Sequence, residues 1–317
     1  MKKGTCFENL FAGSVGLERA FALAIVFFAL IFSPLIANDT SGNRAFELLQ
    51  SDLGSSPYKD KFSCREDTKN SAICVLSAPT DVDEDVRMET TTVKLSIVDK
   101  ALVASLSMSL KIADSHEAKA VFPNDVSCTF EASLIASTMP HELSCNVKST
   151  PYALKFKYSG SIALESFASK SDVAEALGSL TLLDLLGQGE ESFFIKPKKI
   201  DIEIKGSPKL GEAIYKSSKG SDPELTKEEY ENKLAEFVYS IPLKLGEVED
   251  LDYDMALSIF KAGMAIRDLA LSKSSYVSIR IKNGLDQFID LADLTSDESD
   301  ELMASLINES EITVKSK

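Results

Sequence analysis

Thr92-Val93-Lys94-Leu95-Ser96-Ile97 and, shortly after, Leu106-Ser107-Met108-Ser109-Leu110-Lys111-Ile112 decide the fold class of this chain. Apolar and polar residues alternate strictly in both runs. Only an extended backbone places every second side chain on one face, so each run predicts a strand with one buried and one wet side. The pattern returns at Leu154, Phe156 and Tyr158, continues through Ile162 and Leu164, and appears again at Ile200, Ile202 and Ile204 with Asp201 and Glu203 between. Half-buried strands of this kind are normally antiparallel, and their apolar faces need a cover.

Helical patterns supply candidates for that cover. Phe46, Leu49 and Leu53 predict a short helix that Gly54 can end, and Ser171-Asp172 can cap another whose stripe is Leu177, Leu180, Leu183 and Leu186. Thr226 and Glu229 have the spacing of a capping box. The helix behind it carries Tyr230, Leu234, Phe237 and Val238 on one side, and Pro242 is expected to stop it. Met255, Ile259, Gly263, Ile266 and Ala270 mark a longer helix with Arg267 near its C-terminal end. Val277, Ile279 and Ile281 return to strand, and Asn283-Gly284 turns the chain. Leu285, Phe288, Ile289 and Leu291 then suggest helical turns, Ser296 can cap a helix through Leu306, and Ile312 with Val314 form an edge strand.

The fold class expected from these patterns is α+β: an antiparallel, strand-rich first half with long amphipathic strands covered by helices, and a mainly helical C-terminal part. The organisation read from the sequence is a signal peptide over 1–37, a short helix and linker over 38–57, a disulfide-bearing β-rich region over 58–219, and a mainly helical region with short strands over 220–317, packed on the same core.

The signal reading rests on Lys2, Lys3 and Arg19 preceding the apolar run from Ala20 to Phe32, with Ser33-Pro34 breaking it before Leu35-Ile36-Ala37. Cleavage after Ala37 predicts a periplasmic or secreted protein. The alternative is an uncleaved anchor over 20–37, since that run approaches the length of a bilayer span. Of the five cysteines, Cys6 falls in the leader. Cys64, Cys74, Cys128 and Cys145 remain, an even number that in an exported chain predicts two disulfides, with Cys64–Cys74 and Cys128–Cys145 preferred because each pair brackets a short stretch. A faint repeat, Ser63-Cys64 to Cys74 against Ser127-Cys128 to Cys145, is compatible with two related β units.

The chain has 317 residues and a net charge of −15 at pH 7. Such a field repels phosphate backbones and anionic membrane surfaces unless a local basic patch overrides it. The candidate patch in the sequence is Lys196-Pro197-Lys198-Lys199, which reads as a solvated strand edge. Nucleic acid is therefore not an expected partner, and membrane contact is expected only through the N-terminal segment.

Chemistry-bearing motifs are few. No nucleophile elbow, zinc-protease helix, Walker loop or dinucleotide fingerprint occurs. Ser56 with Lys59 and Ser258 with Lys261 match S-x-x-K without its companion motifs. Asp81, Asp83 and Asp85, like Asp250, Asp252 and Asp254, share calcium-loop spacing but lack the turn glycine and the closing glutamate. His116 and His141 are the only histidines, and they lack zinc-site spacing. Asn38-Asp39-Thr40 and Asn308-Glu309-Ser310 match the glycosylation acceptor. No catalytic, cofactor-binding or metal-binding residue is assigned, and no cofactor is expected. The reading that follows is a non-enzymatic envelope protein that binds or assembles a partner protein or a hydrophobic small molecule such as a lipid. The alternative is a hydrolase whose site is assembled from residues distant in sequence.

Overall fold

A computed structural model describes residues 43–55, 58–82, 84–113, 116–163, 194–245, 251–290 and 305–317. The signal segment, the leucine stripe over 177–186 and the N-terminal part of the helix expected from Ser296 lie outside them. The described elements are α1 (Arg44–Ser55), β1 (Phe62–Thr68), β2 (Ser71–Leu76), β3 (Thr80–Asp81), β4 (Val86–Val98), β5 (Ala101–Ile112), β6 (Asp125–Ser133), β7 (Thr138–Lys148), β8 (Tyr152–Ala163) and β9 (Phe194–Gly206). Then follow α2 (Leu210–Ser221), α3 (Lys227–Leu245), α4 (Tyr253–Ala270), β10 (Tyr276–Asn283), β11 (Ile289–Asp290) and β12 (Ser310–Ser316).

All twelve described strands belong to one antiparallel sheet, ordered β1-β2-β4-β5-β6-β7-β8-β9-β10-β12, with β3 on β4 and β11 on β9. Neighbours in space are thus neighbours in sequence. Alternation explains the strands, and tight reversals explain several pairings: between Val98 and Ala101 the turn sets Asp99 at φ 51°, a left-handed conformation that Asp tolerates, whereas β9 and β10 pair across α2, α3 and α4.

This arrangement corrects the expected fold class. The fold is predominantly antiparallel β, because the region after residue 220 is not a mainly helical part. It supplies β10, β11 and β12, which extend the sheet begun by β1. Two local expectations fail with it. Ile289, read as helical, pairs with Ile195 in the short strand β11, where burial in the sheet outweighs the weak helical spacing of Leu285 and Phe288. Pro242 lies inside α3 rather than ending it. It stands less than one turn before the helix end and is exposed, so the missing N–H disturbs little else.

The strand register aligns the apolar face into continuous lateral rows. One runs Cys64, Cys74, Val93, Leu106, Cys128, Cys145, Phe156, Ile202, Ile279 and Val314, one residue from each strand of the path. Leu106 is 2% exposed and Cys145 6%. α1 packs Ala45, Leu48 and Leu49 into the core cluster at the β1–β4 end. There the buried Asn43 donates from Nδ2 to the carbonyls of Thr68 and Ser71, holding the β1–β2 turn. At the other end Leu210 of α2 and Ala265 and Leu269 of α4 pack on Val277 and Ile279.

The helices follow their sequence signals closely. The Thr226 hydroxyl accepts the Glu229 amide, while the Glu229 carboxylate accepts the Thr226 amide and hydroxyl, the reciprocal pattern of a capping box. The Asp252 carboxylate caps α4 by accepting the amides of Asp254 and Met255. Gly211 brings the start of α2 onto the end of α4. A Cβ there would stand 2.9 Å from the Ala270 carbonyl oxygen.

Candidate functional site

Both cysteine pairs close as disulfides, Cys64–Cys74 between β1 and β2 and Cys128–Cys145 between β6 and β7. In each the two residues stand directly opposite, with Cα atoms 4.0 and 4.1 Å apart, the close approach of pairs that exchange no backbone hydrogen bonds. They lie in the same lateral row of the inner face, so they are staples inside the apolar layer. Two disulfides fit an oxidising compartment. Among the described residues no helix is long and apolar enough to cross a membrane.

The remaining sequence candidates separate from one another. His141 sits on the inner face of β7, its ring 5.9 Å from that of Phe130 and 5.5 Å from that of Tyr158. Burial pulls its pKa below the ordinary imidazole value, and a hydrogen bond to the Met139 carbonyl oxygen opposes that shift. The Tyr158 phenol is pushed up by burial. Its hydroxyl fills the space beside Gly160, where a Cβ would come within 2.6 Å of it. His116 is elsewhere, in the β5–β6 connection, with Nε2 4.0 Å from a carboxylate oxygen of Asp85. Asp81 lies within 3.9 Å of Arg87, and Asp83 is outside the described residues. Asp252 is a helix cap. Ser258 donates its hydroxyl to the Asp254 carbonyl within α4, the ordinary use of a serine on a helix surface. Ser56 is outside the described residues. Asn308 is exposed and accepts the Asp252 amide. Among the described residues no three His, Cys, Asp or Glu side chains gather as a metal site.

The sheet's other face is where its chemistry changes along the strand order. Across β4 to β7 the outward rows are mostly hydroxyl: Thr92, Ser107, Ser127 and Asn146 stand in one line, Lys94, Ser105, Thr129 and Ser144 in the next, and Ser96, Val103, Glu131 and Glu142 in a third. Across β8, β9, β10 and β12 the same rows become Lys155, Glu203, Ser278 and Lys315, then Lys157, Asp201, Arg280 and Thr313. Asp201 is claimed by two cations, Lys199 at 2.5 Å and Arg280 at 2.6 Å, and these bonds hold its carboxyl below the usual range against the opposing effect of burial. Lys282 is 3.9 Å from Glu311, and Lys196 pairs with Asp286. Lys155, Lys157, Lys205 and Lys315 are exposed and form no ion pair among the described residues.

No protein-family model and no curated protein matches the chain.

Residues alone must therefore carry the functional reading, and sequence reasoning missed the most distinctive group of them. The run Lys196–Lys199 is not a strand edge but part of the interior strand β9, with Pro197 next to a bulge at Lys198, one of the places a sheet tolerates proline. The cationic surface is instead built from lysines up to 160 residues apart. The signal that could have found it is outward-facing Lys on consecutive amphipathic strands.

Proposed function

We propose that this protein is an exported, non-catalytic binding module of the cell envelope, using its stapled sheet as a rigid platform. The observation that supports the reading is the two-sidedness of that sheet. Its inner rows are buried or half-buried, as at Val93, Leu106, Cys128 and Phe156, while its outer rows are mainly polar and range from half-buried to exposed. A buried inner face leaves partner contacts to the outer face, so binding falls on a surface rather than in an apolar groove. His141 fits this reading as a core residue: it is stacked between two rings on the apolar side. The module would meet its partner in an oxidising compartment such as the periplasm or the extracellular space.

The test is to purify the exported protein, assay it against ester, peptide and glycoside substrates, and extract it for bound lipid. The expected result is no turnover and no stoichiometric lipid. Turnover that disappears on substituting His116 or His141, or a lipid recovered in equal amount with the protein, would overturn the reading.

A further inference from the structure

We propose that the outer face of β8, β9, β10 and β12 docks onto a lipid bilayer carrying anionic headgroups. This rests on the binding-module reading and names its partner. Four exposed lysines without an ion-pair partner among the described residues, Lys155, Lys157, Lys205 and Lys315, project from one side of adjacent strands. The strands are about 4.8 Å apart, so the array is roughly 15 Å wide, the scale of a few headgroups. Asp201 is already neutralised by Lys199 and Arg280, and Glu311 lies 3.9 Å from Lys282, which leaves Glu203 as the outward acid with no ion pair among the described residues of these strands. At one end of the array an open depression of about 700 Å³ is lined by Lys205, Ser275, Tyr276, Lys315, Lys317 and the carboxylate-bearing Glu203, a recess whose lysines outnumber its one acid.

The form of the surface selects the partner. The two outward rows across these strands carry no aromatic ring between Lys155 and Lys315 or between Lys157 and Thr313, and Tyr276 opposite Lys205 is a single ring, whereas tracking a nucleic-acid strand takes a series of rings for successive bases. The face is an open sheet rather than a groove, which gives an extended acidic peptide no walls. A membrane needs neither. It presents a plane of fixed negative charge, and lysine answers it as a point charge on a flexible stem. With a net charge of −15 the chain as a whole is repelled by an anionic surface, so approach within a Debye length requires a locally cationic face such as this one. The protein would then lie flat, with α1 and α4, which pack on the inner face, turned away from the bilayer.

The experiment is co-sedimentation of the exported protein with vesicles of phosphatidylcholine alone or mixed with phosphatidylglycerol, at low and at physiological salt. The comparison is with the variant Lys155→Gln, Lys157→Gln, Lys205→Gln, Lys315→Gln in the same processed form, so that any binding through the N-terminal segment is common to both. The expected result is binding that requires phosphatidylglycerol, falls with salt, and weakens by about fivefold for each lysine neutralised. Glu203→Gln should strengthen it. Thermal unfolding of the variant, expected to be unchanged, separates lost binding from lost folding. Equal binding to both vesicle types, no binding at low salt, or an unaffected lysine variant would each refute the proposal. So would retention on polyglutamate without vesicle binding, which would make the partner an acidic polypeptide. Failure here leaves the binding-module reading standing, whereas turnover in the assays above defeats that reading without reference to these lysines.

Discussion

Strands β1 to β7 and strands β8 to β12 share one apolar face, yet they are held and decorated differently. The first group contains both disulfides, leans on α1 and shows mostly hydroxyls outward, with Lys94, Glu131 and Glu142 among them. The second has no cysteine, leans on α2 and α4, and shows charges outward, several of them tied in pairs. Inner rows run through both without a break, fully buried at Val93, Leu106 and Cys128 and half-buried at Phe156, Ile202 and Val314. Outer rows are free of the requirement to bury apolar surface. Their shift from mainly hydroxyl to mainly charged side chains is therefore not something that burial of the apolar face demands.

The largest effects test the shared face. Leu106→Ala should cost about 2–5 kcal/mol in urea denaturation, because the site is buried and flanked by Val93 and Cys128. Ile279→Ala, nearer the open end at 7% exposed, should fall at the lower end of that range, and the reverse order would dissolve the distinction between a stapled and an unstapled group. Next come the staples. Replacing Cys128 and Cys145 together by Ala should lower stability by about 3 kcal/mol in thermal unfolding, and the same change at Cys64 and Cys74 by about as much or slightly less, since chain entropy depends only weakly on loop length. No loss at either pair would show that the ladder alone sets the register.

The lateral rows were hidden in the sequence although each strand in them was legible. Alternation at Val93, Leu95 and Ile97 announces a strand by itself, and a capping box at Thr226 and Glu229 announces a helix start, because both signals are local. Register is not local. That Cys74, Val93, Leu106 and Cys128 share a line depends on the exact lengths of three reversals. The same reason concealed the cationic face, whose lysines come from β8, β9 and β12. Leu285, Phe288 and Ile289 misled through a short apolar run whose spacing suits either period, and tertiary pairing with β9 decided it. The C-terminal part misled on a larger scale, since its helices dominate the pattern while its strands complete the sheet.

Smaller effects sharpen the comparison further. The folded protein holds His141 neutral below the usual imidazole range, so the unfolded chain binds its proton first as pH falls. Stability from this residue is complete above the unfolded value of 6.5 and declines as pH drops below it, until the depressed folded value is passed. The denaturation midpoint should therefore fall between pH 7.5 and pH 5.5, and His141→Phe should flatten that slope. An unchanged slope would place the responsible proton elsewhere. Asp201→Asn should cost less than about 1 kcal/mol, as expected of pairs at a solvent-facing surface. A larger loss would mean that the second group depends on its charges as the first does on its disulfides.

The order of the strands has a consequence for export. Every strand after β1 except the two-residue β3 pairs with one that precedes it in the chain, and the paired cysteines are separated by only 10 and 17 residues. A polypeptide threading N-terminus first through a pore would deliver Cys74 soon after Cys64, and Cys145 soon after Cys128. Each thiol would then meet its partner before any competitor from the other pair arrives. Order in the chain and order of pairing would then coincide, which favours the native pairs over cross-pairs.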